Sequence, residues 1–185
     1  MKLKLLALFG TILALTTARS AHSADPVTID CLLNGLDAST RQALLTGTQR
    51  QVQEPEPGFH FDDATRLKLS AVSEKCQAQF GWTQKARAVA LEYLLIKDGI
   101  SVYEAIVQGD GLDVTRVEAV VRGLPPAQFA HLTPDLISKD DAEALAGALA
   151  RAKINIETPK QGNDVGALVG LMSSAEAKKA EFAAS

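Results

Sequence analysis

The sequence is poor in cysteine and in clustered charge. Of 185 residues only two are cysteine, and 22 acidic side chains stand against 19 Lys plus Arg. No basic run is longer than Lys178-Lys179, so the patch that releases counterions from a phosphate polymer is missing and nucleic acid is excluded as a partner. At 46% apolar and 22% charged, the chain is neither a disordered acidic tail nor a solvated linker, and its length suits one ordinary domain. Beyond the first two dozen residues no stretch can cross a bilayer, since the most apolar window, 86–96, contains Arg87 and Glu92. Alternation with period two is nearly absent, and no repeat of fixed length stands out. There is no Gly-x-Ser-x-Gly elbow, phosphate loop or dinucleotide fingerprint, and the glycines of 162–170 lack a preceding strand and a phosphate-holding Lys.

What is present begins with a targeting pattern. Lys2 and Lys4 form a basic start, residues 5–15 an apolar stretch, and Ala21-His22-Ser23 before Ala24 a small-x-small cleavage site. The apolar stretch is too short for a membrane anchor and ends at Thr16, Thr17 and Arg19. Residues 1–24 are therefore expected to be a signal peptide, and 25–185 an exported chain, periplasmic or secreted, without a transmembrane segment. Removing Lys2, Lys4 and Arg19 from the 19 basic residues leaves 16 against 22 acidic ones, a formal charge of −6.

In an exported chain two cysteines read as a pair, because the compartment permits disulfides and neither has another partner. Cys31 and Cys76 are expected to be bonded, closing a loop of about 46 residues worth about 4 kcal/mol by chain entropy. A catalytic thiol activated by His60 or His131 needs an electropositive setting, and only Lys75 flanks Cys76 while Asp30 precedes Cys31.

Helical periodicity covers most of the mature chain. Ile29, Leu32, Leu33 and Leu36 form one stripe; Asp37, Ser39 and Thr40 can cap a second short helix that buries Leu44 and Leu45 and ends near Gly47 or Gln51. Residues 51–61, with Pro55 and Pro57, are expected to be a surface loop. Asp62 and Asp63 open a third helix with Leu69, Val72, Cys76 and Phe80 inward, and Gly81 closes it. Thr83 caps a helix to about Asp98, and a shorter one follows over 101–108 with Val102, Ala105 and Ile106 inward. Gly109-Asp110-Gly111 is the strongest break, a weak internal division of the domain. Beyond it Val114, Val117, Val121 and Leu124 repeat at helical spacing, Pro125-Pro126 starts a short turn, and Ser138 with Asp141 opens a helix through Ala142, Leu145 and Leu149. Residues 154–158 alternate as one unpartnered extended edge, 158–164 read as a loop, and a last helix from about Asp164 buries Val165, Leu168, Val169, Met172 and Ala175, its end fraying over 178–185.

Two patterns look like metal sites. Asp98-Gly99-Ile100-Ser101-Val102-Tyr103-Glu104 resembles the second half of a calcium loop, but the register puts Leu94 and Ile96 at the first and third ligand positions and Ala105 at the twelfth. The loop before the third helix gathers Glu54, Glu56, His60, Asp62 and Asp63; Glu56, His60 and Asp62 are candidate ligands for a hard or borderline cation, without the spacing that marks a zinc site. The same acids serve equally as caps. No cofactor is implied and no catalytic residue is assigned.

The fold expected is all-α, an irregular, orthogonally packed bundle of about seven or eight short helices with one disulfide. Alanine-rich stretches from Ala142 and from Ala175 leave room for a second chain or a small apolar ligand to complete the packing. The function expected is non-enzymatic: an exported or envelope-associated binding protein that meets a protein partner or itself. The alternative is a small-molecule or metal carrier, or a weakly marked hydrolase using the acids of 54–63.

Overall fold

A computed structural model describes residues 24–54, 61–133 and 137–185. Its described residues form eight α-helices, no strand, and one disulfide between Cys31 and Cys76. The helices are α1 (Cys31–Gly35), α2 (Ala38–Gln53), α3 (Asp63–Phe80), α4 (Gln84–Gly109), α5 (Val114–Arg122), α6 (Pro126–Ala130), α7 (Lys139–Arg151) and α8 (Pro159–Ala183). The expected all-α bundle is thus present, although two helices are long, α4 with 26 residues and α8 with 25.

Side-chain caps explain most helix starts. The orphan amides of a first turn need acceptors, and Asp37, Asp62, Thr83 and Asp113 supply them to Thr40, Thr65, Ala86 and Arg116. Ser138 with Asp141 forms the expected capping box of α7. Gly81 ends α3 in the left-handed conformation at φ 66°, and Gly111 turns the chain after α4 at φ 83°.

Several expectations about the elements are corrected. Helix α2 runs on to Gln53, past Gly47 and Gln51, because Thr40, Leu44 and Thr48 continue one buried stripe. Helix α4 does not break at Asp98-Gly99. The glycine is buried, and a Cβ there would lie 3.2 Å from Leu171 Cδ1, so its small size is spent on close approach of α8 rather than on a turn. Val107 is fully buried in its last turns while Ala105 faces solvent, and Phe80 on α3 is 42% exposed, its place on the inner face taken by Ser73 and Cys76. Helix α8 starts at Pro159, five residues before Asp164, on a second capping box of Thr158 and Gln161. Between α7 and α8 the expected alternation holds without a ladder: Ile154 is buried, Ile156 half-buried, and Asn155 and Glu157 are exposed.

The core is one contiguous cluster reaching from Ala24 to Phe182, across the turn at 110–111. Its centre is the antiparallel pair α4 and α8, which meet at Glu92 with Lys178 (2.5 Å) and at Gly99 with Leu171. Helices α1, α2 and α3 cover one side of α4, and the disulfide, with Cα atoms 6.0 Å apart, joins α1 to α3. The C-terminus does not fray. Phe182 is fully buried and meets Trp82 edge to face at 5.1 Å, while the Trp82 indole donates to Thr28 Oγ1 at 2.9 Å. Both ends of the described chain therefore close on the α3–α4 corner.

Candidate functional site

The period of α4 places Tyr93, Lys97, Ile100 and Glu104 along one face. Opposite that face run Met172, Ala175, Glu176 and Lys179 of α8, and the short helices α5 and α6 close the far wall with Glu118, Arg122, Leu124, Pro126 and Phe129. Together they bound an open cleft of about 440 Å³, within the ~300–1,000 Å³ usual for small-ligand sites. The cleft exists because α5 and α6 are short and meet at Gly123 and Pro125-Pro126, so neither can lie along the full length of α4. Helix α6 is held in place by Ser173 Oγ, buried on α8, which donates to the Phe129 carbonyl at 2.7 Å.

Its floor is apolar and its charges sit in two groups. At one end Glu104 and Glu118 are hydrogen-bonded to each other. Burial, then that bond and the Glu118 charge, push the Glu104 carboxyl up, against the opposing charges of Lys97 and Arg122. Arg122 stands 3.5 Å from Glu118 Oε2. At the other end Lys179 pairs with Glu176 at 3.0 Å and lies 5.9 Å from the centre of the Tyr93 ring. Burial, with Asp30 as charged neighbour and hydrogen-bond acceptor, pushes the Tyr93 phenol up to about 12. A recess that combines apolar side chains with a few convergent ionisable groups is the form binding sites take.

A second groove of about 430 Å³ lies between α2, α4 and α8, walled by Val52, Leu95, Ile96, Tyr103 and Leu171 with Gly99 at its base. It is almost wholly carbon-lined and offers no convergent charges; Lys178 at its edge is held by Glu92 and Glu181.

The residues singled out in the sequence fall elsewhere. Glu56 and His60 lie outside the described residues. Asp62 is exposed and caps α3, its carboxyl drawn down by hydrogen bonds from Thr65. Among the described residues no group of three or more His, Cys, Asp or Glu is placed to hold a metal ion. Neither cysteine is free, so the thiol chemistry weighed for Cys31 and Cys76 has no nucleophile. His131 is exposed on the turn after α6. Glu104 entered the sequence argument only as an ill-registered calcium ligand, and Glu118, Arg122 and Phe129 not at all as site residues. The Lys97–Ile100–Glu104 and Glu118–Arg122 spacings carried the signal in part, but the carboxyl pair joins two helices and no local pattern marks it. Among the described residues no helix is long and apolar enough to cross a membrane.

Comparison of the chain with protein-family models, with curated proteins and with solved structures yields no match in any of the three.

Proposed function

We propose that this chain is an exported, non-enzymatic binding protein that takes a small amphipathic ligand in the cleft between α4, α5, α6 and α8. The observation that carries the reading is the cleft itself: about 440 Å³, lined by Ile100, Leu124, Phe129 and Met172, with the Glu104 and Glu118 carboxyl groups and basic side chains around them. The test is titration with the amphipathic dye anilinonaphthalene sulfonate. A single saturable site is expected, and Leu124→Glu, which puts a charge on the half-buried wall, is expected to weaken it about tenfold or more. Unchanged titration in that variant overturns the reading.

Export belongs to the same proposal and rests on the targeting pattern of residues 1–24, on the disulfide, and on the place of the first described residues. Asp25 caps a 3-10 turn, Pro26–Thr28, whose Thr28 receives the Trp82 indole, so a chain beginning near Asp25 keeps its anchoring contacts. Intact-mass measurement of the protein recovered from outside the cytoplasm is expected to place its first residue at Asp25 or within two of it; retention of Met1 there removes the argument for a cleaved signal.

A second reading, docking of a partner protein's apolar side chains, is favoured by the carbon-lined groove between α2, α4 and α8. Leu95→Asp is the variant that separates the two, since Leu95 lines that groove and not the cleft.

A further inference from the structure

The groove between α2, α4 and α8 carries a polar group that the protein leaves unanswered. We infer that this groove is a second ligand site, for an uncharged, apolar small molecule with one hydroxyl, which pairs with Thr48. The site is separate from the cleft, and a small molecule takes there the place that the second reading gives to a partner's side chains.

Five polar side chains are buried among the described residues: Thr40, Thr48, Thr65, Ser73 and Ser173. Four have hydrogen bonds, Thr40 and Thr65 to the carboxylates of Asp37 and Asp62, Ser73 to the Ser70 carbonyl and Ser173 to the Phe129 carbonyl. Thr48 is the exception. It is 3% exposed and lines the groove, and its Oγ1 is enclosed without a partner among the described residues. A buried hydroxyl in that state is uncommon and costly. Inside a helix a threonine hydroxyl can bond the carbonyl one turn back, and Thr48 forgoes even that bond to Leu44. No bond therefore holds the hydroxyl where it is, and a turn about χ1, between the two rotamers open to threonine in a helix, can present it to a ligand.

The rest of the groove sets the character of that ligand. Its volume of about 430 Å³ is of the size usual for small-molecule sites, and Val52, Leu95, Ile96 and Leu171 give it carbon walls. The α4 residues along it run on one face from Glu92 to Tyr103, about three turns, so the space suits a molecule longer than it is wide. The charges at its edge are taken, Lys178 by Glu92 and Glu181. A charged group entering there would lose water without gaining a counter-ion, whereas a hydroxyl can donate to Thr48 or accept from it.

The experiment is equilibrium dialysis of the oxidised protein against 2-naphthol, naphthalene and 2-naphthoate, which share one ring system and differ in the hydroxyl and the charge. One saturable site is expected for 2-naphthol, with naphthalene and 2-naphthoate each bound about fivefold or more weakly, the first for want of the hydrogen bond and the second for loss of hydration. Thr48→Val keeps the shape and removes the hydroxyl. It should bring 2-naphthol down to the affinity of naphthalene, leave naphthalene unchanged, and keep or raise the melting midpoint, since no bond within the protein is lost. Leu95→Asp should abolish 2-naphthol binding while anilinonaphthalene sulfonate still saturates the cleft, and 2-naphthol should not displace that dye from the unaltered protein. A preference for 2-naphthol that persists in Thr48→Val, a lower melting midpoint in that variant, displacement of the dye by 2-naphthol, or no saturable binding of 2-naphthol overturns the inference. In the last case the groove is left to a partner's side chains, and the binding role of the cleft stands or falls with the dye alone.

Discussion

Among the described residues, Asp98 carries the carboxyl with a buried and unpartnered oxygen. It sits mid-α4 facing α2, half-buried, with Oδ2 enclosed and without a hydrogen-bond partner among the described residues. Burial pushes it up to about 6, only partly opposed by the positive charge of Arg41, whose guanidinium is spent on the Leu33 carbonyl. A carboxyl raised in the folded state favours folding in its protonated form. Its contribution is therefore complete below the ordinary value of 3.8 and is lost as pH rises through about 6. Asp98→Asn should raise stability at pH 7 by about 1 kcal/mol, the shift being discounted because the residue is only half-buried. Urea unfolding of both proteins at pH 4.5 and pH 7.5 checks this: the variant's advantage should shrink at the lower pH. A variant less stable than wild type at pH 7.5 would show that the carboxylate has a partner. Asp62, Asp110 and Asp141 act in the opposite sense, since hydrogen bonds draw them down and their contribution fades on acidification.

At the scale of elements, caps and stops were legible where the responsible atoms are close in sequence. Asp37, Asp62, Thr83 and the Ser138–Asp141 box all lie where their residue types say they should. What escaped was decided by a second helix. Gly99 resembles a helix stop until Leu171 arrives against it, and Phe80 completes an apolar stripe in the sequence although no helix covers that turn. The start of α8 was readable but unread: Thr158-Pro159 followed by Gln161 is a capping box with proline in the first turn, outweighed by the expectation that Pro and Gly mark a loop. Gln161 does more than cap. Its Oε1 accepts from the amides of Glu157 (2.7 Å) and Thr158 (3.2 Å), and its Nε2 donates to the Asp110 carbonyl at 3.0 Å, tying α8 to the turn after α4. Gln161→Ala should therefore cost about 2 kcal/mol and Thr158→Ala about 1 kcal/mol. Thermal unfolding ranks the two, and the reverse order would mean that the tie to Asp110 is worth little. The carboxyl pair of the cleft escaped for the reason that hid Gly99, since Glu104 and Glu118 are neighbours only after α5 folds back on α4.

For the whole molecule, the disulfide and the cleft are built from different residues. The disulfide pins the five-residue α1, too short to hold itself by its own turns, to the last turns of α3, and the Trp82–Phe182 contact closes both chain ends on the same corner. The cleft is built from α4 with α5, α6 and α8. Closing a 45-residue separation in the unfolded chain is worth about 4 kcal/mol by chain entropy, a large share of the ~5–15 kcal/mol a domain possesses. Reduction should then lower the melting midpoint by about 10 °C for a chain of this size. Cys76 is 1% exposed, so dithiothreitol should act slowly on the native protein and quickly once it is unfolded. Thiol titration of the denatured, unreduced protein should find no free thiol. Because neither cysteine touches the cleft, dye binding should be unchanged in the reduced protein at a temperature where it is still folded. A reduced protein with native melting but altered dye binding would reverse the assignment, making the bond a control on the site and not a staple of the fold.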